Sequence, residues 1–146
     1  RRWARWLAHT PQLRRIGPLL LRQLPARADA MAALAWHDPS RVSPAVWEGY
    51  RRPLAVDDWD QALWRFALAA DGGDDLRAGL AALRTPTLVI TGDDDRVVPT
   101  EESVRAAEAI AGAELVVLEA CGHVPQEERP EAVLAAIDGF LARLPP

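Results

Sequence analysis

The sequence predicts an α/β fold in which a helical first half precedes a short parallel sheet. Residues 88–90 and 115–118 form two short, continuous apolar runs rich in β-branched side chains. Such runs are typical of strands buried on both faces of a parallel sheet. The segment between them has helical periodicity, and a strand, a helix and a second strand in this order form a βαβ unit.

Prolines divide the first half into short predicted helices. An apolar stripe at helical spacing starts at Trp3 and includes Ile16 and Leu20. The alanine-rich segment 28–36 is the next predicted helix, and it ends before Pro39. No convincing strand pattern occurs in this half, so we expect it to be mostly helical.

Two further helices complete the first half. Ser43 and the proline that follows it are typical of an N-cap and a first helical position. A longer helix is predicted over residues 58–70, and the polar, glycine-containing segment 71–74 is the predicted boundary between two domains. We therefore assign residues 1–73 to one domain and residues 74–146 to the other.

The second half surrounds the two strands with helices. Residues 75–83 form a short predicted helix that leads into the first strand. Thr100 is predicted to cap a helix that buries Ile110 and stops at Gly112. Pro130 is predicted to start a C-terminal amphipathic helix.

Composition and charge exclude several classes of protein. One cysteine in 146 residues rules out an internal disulfide framework, and no apolar run approaches the roughly 20 residues that span a bilayer. No signal-peptide pattern is present, so we expect a cytoplasmic protein.

Charge is distributed unevenly along the chain. Residues 1–56 carry a net charge of +7 and residues 57–146 carry a net charge of −11. We interpret the basic half as a solvated arginine surface and expect neither a nucleic-acid nor a membrane partner.

Two polar loops follow the predicted strands. The first contains three consecutive aspartates, at positions 93–95, and the second contains His123. Because parallel strands joined by a crossover helix end at the same edge of the sheet, these loops are predicted to lie together. An aspartate that orients a histidine, with the histidine as general base, makes two thirds of a nucleophilic triad.

The two loop motifs resemble a known family. TPTLVITGDDDRVVP is similar to the penultimate strand and acid loop of the α/β-hydrolase fold, and CGHVPQEERPE to the exit of its last strand. The resemblance is to the cap-bearing esterases, C–C bond hydrolases and lactonases, and it covers residues 76–146. It implies the C-terminal part of the α/β-hydrolase parallel sheet, two final strands with flanking helices, preceded by a helical cap at residues 1–73.

The resemblance also implies roles for individual residues. Asp95 matches the triad acid and His123 the general base, while Asp93 and Asp94 are interpreted as solvated loop acids. Chain order in this fold is nucleophile, acid, base, so the nucleophile is expected upstream. None of the serines stands in a Gly-x-Ser-x-Gly motif: Ser40, Ser43 and Ser103. We therefore expect a C-terminal half of a hydrolase that is inactive alone.

The remaining candidates are weighed against simpler roles. Cys121 is interpreted as a small buried hydrophobe, since free cysteine is usually buried. Val98 and Val124 neighbour the predicted site and are expected to line a pocket for a small apolar or amphipathic organic substrate. His9 and His37 lack partners at metal-ligand spacing, so we expect neither a metal nor a cofactor.

Several functions remain open from the sequence alone. The first is hydrolysis of an ester, a lactone or a C–C bond by a Ser-His-Asp triad. The second keeps the fold but has an aspartate nucleophile, as in epoxide hydrolases and dehalogenases, with His123 activating water. The third is a non-catalytic ligand-binding or receptor module of the same fold. Fold alone does not choose among them.

Overall fold

The computed structural model describes residues 10–22, 28–69 and 79–145. Trp3, the predicted boundary at 71–74 and most of the predicted helix at 75–83 lie outside these residues. No helix in the described ranges is long and apolar enough to cross a membrane. The elements are α1 (Pro11–Leu21), α2 (Ala28–Ala33), α3 (Pro44–Arg51), α4 (Trp59–Ala69), β1 (Leu88–Gly92), α5 (Thr100–Ala109), β2 (Glu114–Leu118), α6 (Pro125–Glu128) and α7 (Pro130–Leu141), with 3₁₀ turns at Pro39–Arg41 and Arg52–Ala55.

Strands β1 and β2 form a parallel pair. Leu88 lies opposite Glu114, and Gly92 lies opposite Leu118. Helix α5 connects the two strands, so the predicted βαβ unit is confirmed. The loops after β1 and β2 consequently leave the same edge of the sheet.

The apolar runs are typical of strands buried on both faces, but within the described residues β2 keeps exposed apolar side chains. In β2, Leu115 is 37% exposed and Val117 is 42% exposed. In α7, Val133 is buried, yet Leu134 is 60% exposed and Leu141 55%. Burial on both faces requires further strands and helices beside these two. The described part of the chain contains only two strands, and a row of apolar side chains stays uncovered.

The described residues form two compact units. The first contains residues 10–22, 28–31 and 42–69, and the second contains residues 32–41 and 79–145. The assignment of residues 1–73 to a cap remains a prediction. The segment 32–41, however, groups with the second unit, and sequence patterns gave no indication of this.

In the first unit, α1 packs against α4. Gly17 lies against the indole ring of Trp64, which brings the two helices close together. This contact buries Gly17, whereas Ile16 is 48% exposed and Leu20 is 62% exposed. The predicted apolar stripe is therefore wrong at these two positions, because the small residue rather than the large ones faces the neighbouring helix.

An ion pair joins the same two elements. The Nε atom of Arg22 donates to Oδ2 of Asp60 at 2.8 Å, and the side chain of Asp60 is only 5% exposed. This hydrogen bond is the main reason that the pKa of Asp60 lies below its ordinary value. Asp60 is consequently ionised at neutral pH, as its burial beside an arginine requires.

Two of three predicted helix starts are confirmed. The hydroxyl of Ser43 accepts from the backbone N–H of Val46 at 3.3 Å and caps α3, and α7 starts at Pro130. The prediction that Thr100 caps α5 is wrong. Thr100 is the first residue of that helix, and its hydroxyl donates to the carbonyl oxygen of Gly92 at 2.6 Å.

Candidate active site

Asp95 lies in the loop that follows β1. Its Oδ1 atom accepts hydrogen bonds from the backbone N–H groups of Val97 at 2.9 Å and Val98 at 2.8 Å. Its side chain is only 5% exposed. Local hydrogen bonds of this kind are typical of aspartate in turns, and here they fix the direction of the carboxylate.

His123 lies in the loop that follows β2. Its Nδ1 atom is 2.9 Å from Oδ2 of Asp95, within hydrogen-bond range. The contact predicted between these two side chains is therefore present, and it is made by Asp95 rather than by Asp93 or Asp94. The catalytic roles of Asp95 and His123 remain predictions.

The protonation of this pair follows from the environment of the acid. Burial alone raises the pKa of Asp95, but the hydrogen bonds from His123, Val98 and Val97 outweigh it and lower the pKa overall. Asp95 is thus a carboxylate at neutral pH and can only accept. The Nδ1 atom of neutral His123 must then carry the proton, which leaves Nε2 with the free lone pair.

The two loops are also joined through their backbones. Oδ1 of Asp93 accepts from the N–H of Cys121 at 3.2 Å, and the N–H of Asp94 donates to the carbonyl oxygen of Cys121 at 3.0 Å. The bond from Cys121 is the largest contribution that lowers the pKa of Asp93. Asp93 is exposed, as expected for a solvated loop acid, and it also helps to hold the two loops together.

Two glycines allow the backbones to approach this closely. A Cβ atom on Gly92 would lie 2.0 Å from the carbonyl oxygen of Cys121. A Cβ atom on Gly122 would lie 2.5 Å from the carbonyl oxygen of Ala35. Any other residue at position 92 would displace one loop from the other, and any other residue at position 122 would displace the second loop from the backbone of residues 35–37.

Sequence reasoning missed the contribution of residues 35–38. The N–H of His123 donates to the carbonyl oxygen of Ala35 at 2.7 Å, and the guanidinium of Arg96 donates to the carbonyl oxygens of Trp36 and His37 at 2.5 Å and 3.2 Å. The segment thus contacts both the acid loop and the base loop. At least 57 residues separate it from these partners, and no local spacing could indicate the contact.

His37 also pairs with one of the loop aspartates. Its Nδ1 atom lies 2.9 Å from Oδ2 of Asp94, and Nη2 of Arg96 lies 3.5 Å from the same oxygen. Both side chains of the His37–Asp94 pair are about 40% exposed. We expected His37 to have a surface or core role, and this position at the surface agrees with that interpretation.

Glu128 is a second residue that sequence reasoning missed. It ends α6, is only 2% exposed and accepts three backbone N–H groups, from His37, Asp38 and Gly122. In the sequence, the only indication of this residue was a glutamate five residues after the candidate base, and we interpreted it as part of a helix start. Only the fold shows that this carboxylate points inward.

Cys121 has the predicted role of a small buried hydrophobe. It is fully buried, and burial together with the charge of Glu128 raises the pKa of its thiol to about 11. The thiol is therefore protonated at neutral pH and is a poor nucleophile. Val98 is 40% exposed and Val124 is partly buried, and their contact with a substrate remains a prediction.

Comparison with known sequences identifies relatives of the chain. A sequence model of the alpha/beta hydrolase family matches residues 2–136. The chain is 34% identical over 110 residues to the putative carbamate hydrolase RutD of Pseudomonas syringae. The aligned region covers 70% of the chain and 42% of RutD. It is 39% identical over 64 residues to an Escherichia coli 2-hydroxy-6-oxononadienedioate/2-hydroxy-6-oxononatrienedioate hydrolase, covering 44% of the chain and 22% of that protein.

Solved structures show the same relationship. A thermophilic esterase from Thermogutta terrifontis superimposes with a TM-score of 0.68 at 26% identity, over 92% of the chain and 51% of the esterase. The chain spans 38–42% of the length of the curated relatives that match most of its sequence. The residues matched by the family model, 2–136, include the loops after β1 and β2.

Proposed function

Because the chain belongs to the alpha/beta hydrolase family, we propose that it supplies the acid and the base of a hydrolase that cleaves an ester, a lactone or a C–C bond. His123 is the general base, Asp95 orients it, and the nucleophile comes from a segment upstream of these 146 residues. The observation that carries the proposal is the 2.9 Å contact between Nδ1 of His123 and the carboxylate of Asp95.

The geometry supports this division of roles. Asp95 is buried and ionised, and Nδ1 of His123 is directed at it, so Nε2 is the atom that can take a proton. When a serine hydroxyl attacks a carbonyl carbon, its proton passes to Nε2, and the Asp95 carboxylate stabilises the imidazolium that forms. Nε2 then returns the proton to the leaving group, which completes the first half of the reaction.

The serines within the chain have other partners or positions. The hydroxyl of Ser40 donates to Asp38 at 2.6 Å, and that of Ser43 caps α3. Ser103 lies within α5. An upstream nucleophile agrees with the order nucleophile, acid, base in this fold, and with the share of its relatives' length that the chain spans.

An apolar cavity in the first unit supports an apolar or amphipathic substrate. Its volume is about 410 Å³, within the range of small-molecule pockets. Phe66, which lines it, is 69% exposed, and Val56 is 63% exposed. The other lining residues are Pro53, Leu54, Asp57, Trp59, Ala62 and Leu63. Side chains of this kind bind the hydrocarbon part of a substrate.

The test compares the 146-residue chain with the longer polypeptide that continues upstream. Both are incubated with p-nitrophenyl butyrate and with a fluorophosphonate probe, which reacts with activated serine hydroxyls. We expect turnover and labelling only in the longer polypeptide, with the labelled serine upstream of Arg1. In this fold, the N–H groups that stabilise the oxyanion come from the residue after the nucleophile and from an early loop, which are both expected upstream. Loss of one such donor costs about 100- to 1000-fold in rate, and the 146-residue chain is expected to lack the nucleophile as well.

Three outcomes would contradict the proposal. Turnover by the 146-residue chain that disappears in Cys121→Ala would make the buried thiol the nucleophile. Ligand binding by the longer polypeptide, with neither turnover nor labelling of any substrate class tested, would favour the non-catalytic receptor module. Labelling of an upstream aspartate by an epoxide substrate would assign the aspartate chemistry instead.

A further inference from the structure

Glu128 is a buried carboxylate that the proposed reaction does not use. Its Oε1 atom accepts from the N–H groups of His37 at 2.9 Å and Asp38 at 3.3 Å, and its Oε2 atom accepts from the N–H of Gly122 at 2.5 Å. The residue is only 2% exposed. A carboxyl group at such depth is tolerated because its oxygens are hydrogen-bonded, and all three partners are N–H donors.

The three N–H groups come from two parts of the chain that are distant in sequence. His37 and Asp38 lie about 90 residues before Glu128, whereas Gly122 lies six residues before it. Gly122 immediately precedes the candidate base. One carboxylate therefore fastens the segment 35–38 to the backbone of the base loop.

The same segment also accepts a hydrogen bond directly from the backbone of the candidate base. The N–H of His123 donates to the carbonyl oxygen of Ala35 at 2.7 Å. Arg96, next to the candidate acid, is bonded to the carbonyl oxygens of Trp36 and His37. The segment that Glu128 anchors thus determines where the backbones beside both members of the pair lie.

We propose that Glu128 is a positioning residue for His123. Its carboxylate fixes Gly122 against the segment 35–38 and so sets the distance between the imidazole of His123 and Asp95. The inference rests on the proposed function, in which that distance matters for proton transfer. A displacement of about 1 Å at a reacting group can cost about 100-fold in rate.

The discriminating variant is Glu128→Gln. Glutamine has the same shape, but one oxygen of the carboxylate becomes an NH₂ donor. That donor must face an N–H group, either of Gly122 or of the segment 35–38, so one of the two attachments is lost. Glu131→Gln is the matched control, because it removes the same charge from an exposed position three residues later.

The first readout is independent of catalysis. In proton NMR, the Nδ1 proton of a histidine bonded to a carboxylate resonates well downfield of the amide region, and His123→Asn assigns the signal. We expect the signal in the unchanged chain and in Glu131→Gln, and its loss in Glu128→Gln. A signal of unchanged position and width in Glu128→Gln would overturn the inference, whether or not the protein proves to be a hydrolase.

Amide hydrogen exchange of the unchanged chain tests the inference even if the Glu128→Gln variant does not fold. In the unchanged chain, the amides of His37, Asp38 and Gly122 are expected to exchange slowly and together, in one cooperative step. Their exchange at the rate of exposed loop amides would overturn the inference without any substitution.

Kinetics of the longer hydrolase supply the third readout. We expect Glu128→Gln to lower kcat by about 100-fold with KM changed less than about 3-fold, because the base is displaced while the substrate pocket is intact. Glu131→Gln should retain full activity. Equal losses in both variants would overturn the inference, whereas inactivity of the unchanged hydrolase would count against the proposed function alone and leave the NMR result to decide the role of Glu128.

Discussion

Two histidine–aspartate pairs lie side by side in this protein, and their contact distances are the same. His123 meets Asp95 at 2.9 Å, and His37 meets Asp94 at 2.9 Å, each through Nδ1 and Oδ2. The two histidines are also similarly exposed, at 38% and 40%. By distance alone, either pair qualifies as the acid and base of a triad.

The difference lies in the acids. The side chain of Asp95 is 5% exposed and its second oxygen accepts two backbone N–H groups, whereas that of Asp94 is 41% exposed and lies near Arg96. Buried, fixed carboxylates orient an imidazole, while solvated ones contribute little. The environment of the acid, rather than the length of the hydrogen bond, therefore distinguishes the candidate site from an ordinary surface pair.

The largest expected effect comes from removing each histidine in turn. In the longer polypeptide, the proposed roles predict that His123→Ala lowers kcat on the order of 10⁶-fold, because no other group is proposed to take the proton of the nucleophile. His37→Ala should retain activity within about 10-fold. The measurement is kcat with p-nitrophenyl butyrate, after circular dichroism has shown that both variants fold. A larger loss in His37→Ala than in His123→Ala would reverse the assignment.

The next effect comes from the two neighbouring aspartates. Asp95→Asn should lower kcat by about 10⁴-fold, because an asparagine amide can donate to Nδ1 and favour the wrong tautomer. Asp94→Asn should change kcat by less than about 3-fold. Equal effects would show that burial of the acid does not matter. The Nδ1 proton signal of His123 should disappear only in Asp95→Asn.

The smallest effect is on stability at acid pH. The folded-state pKa of Asp95 is lowered, so its contribution to the free energy of unfolding is present above its unfolded pKa of about 3.9 and is lost as pH falls through the folded value. Unfolding of Asp95→Asn in urea should therefore depend less on pH below about pH 4.5 than unfolding of the unchanged chain.

Local patterns were sufficient to predict the sheet and the meeting of the two loops, whereas the choice of Asp95 among the three aspartates came from the family resemblance. The βαβ unit followed from two apolar runs and a helical period, and parallel pairing then brought Asp95 and His123 to one edge. Each of these steps depends on neighbours within about 30 residues. Sequence reasoning performs well at this range because the period and the turn residues determine the local conformation.

The rest of the site depends on contacts that no local pattern encodes. The bonds of Glu128 to His37 and Asp38 join residues about 90 positions apart, and the glutamate could equally have been a solvated residue of a helix. The exposure of β2 is likewise not encoded locally, because apolar content shows that a strand can be covered, not which elements cover it. The sequence also did not indicate that Gly17, rather than Ile16, lies against Trp64.

Because residues 32–41 group with the second unit, the described residues 42–69 of the first unit lie between two parts of the chain that belong to the second unit. The entropy of closing such a loop grows only with the logarithm of its length, so a twofold longer excursion costs roughly 0.6 kcal/mol. Insertions, deletions or a replacement segment within residues 42–69 should therefore leave the contact between Asp95 and His123 intact. These helical residues could in this sense be exchanged without moving the candidate acid and base.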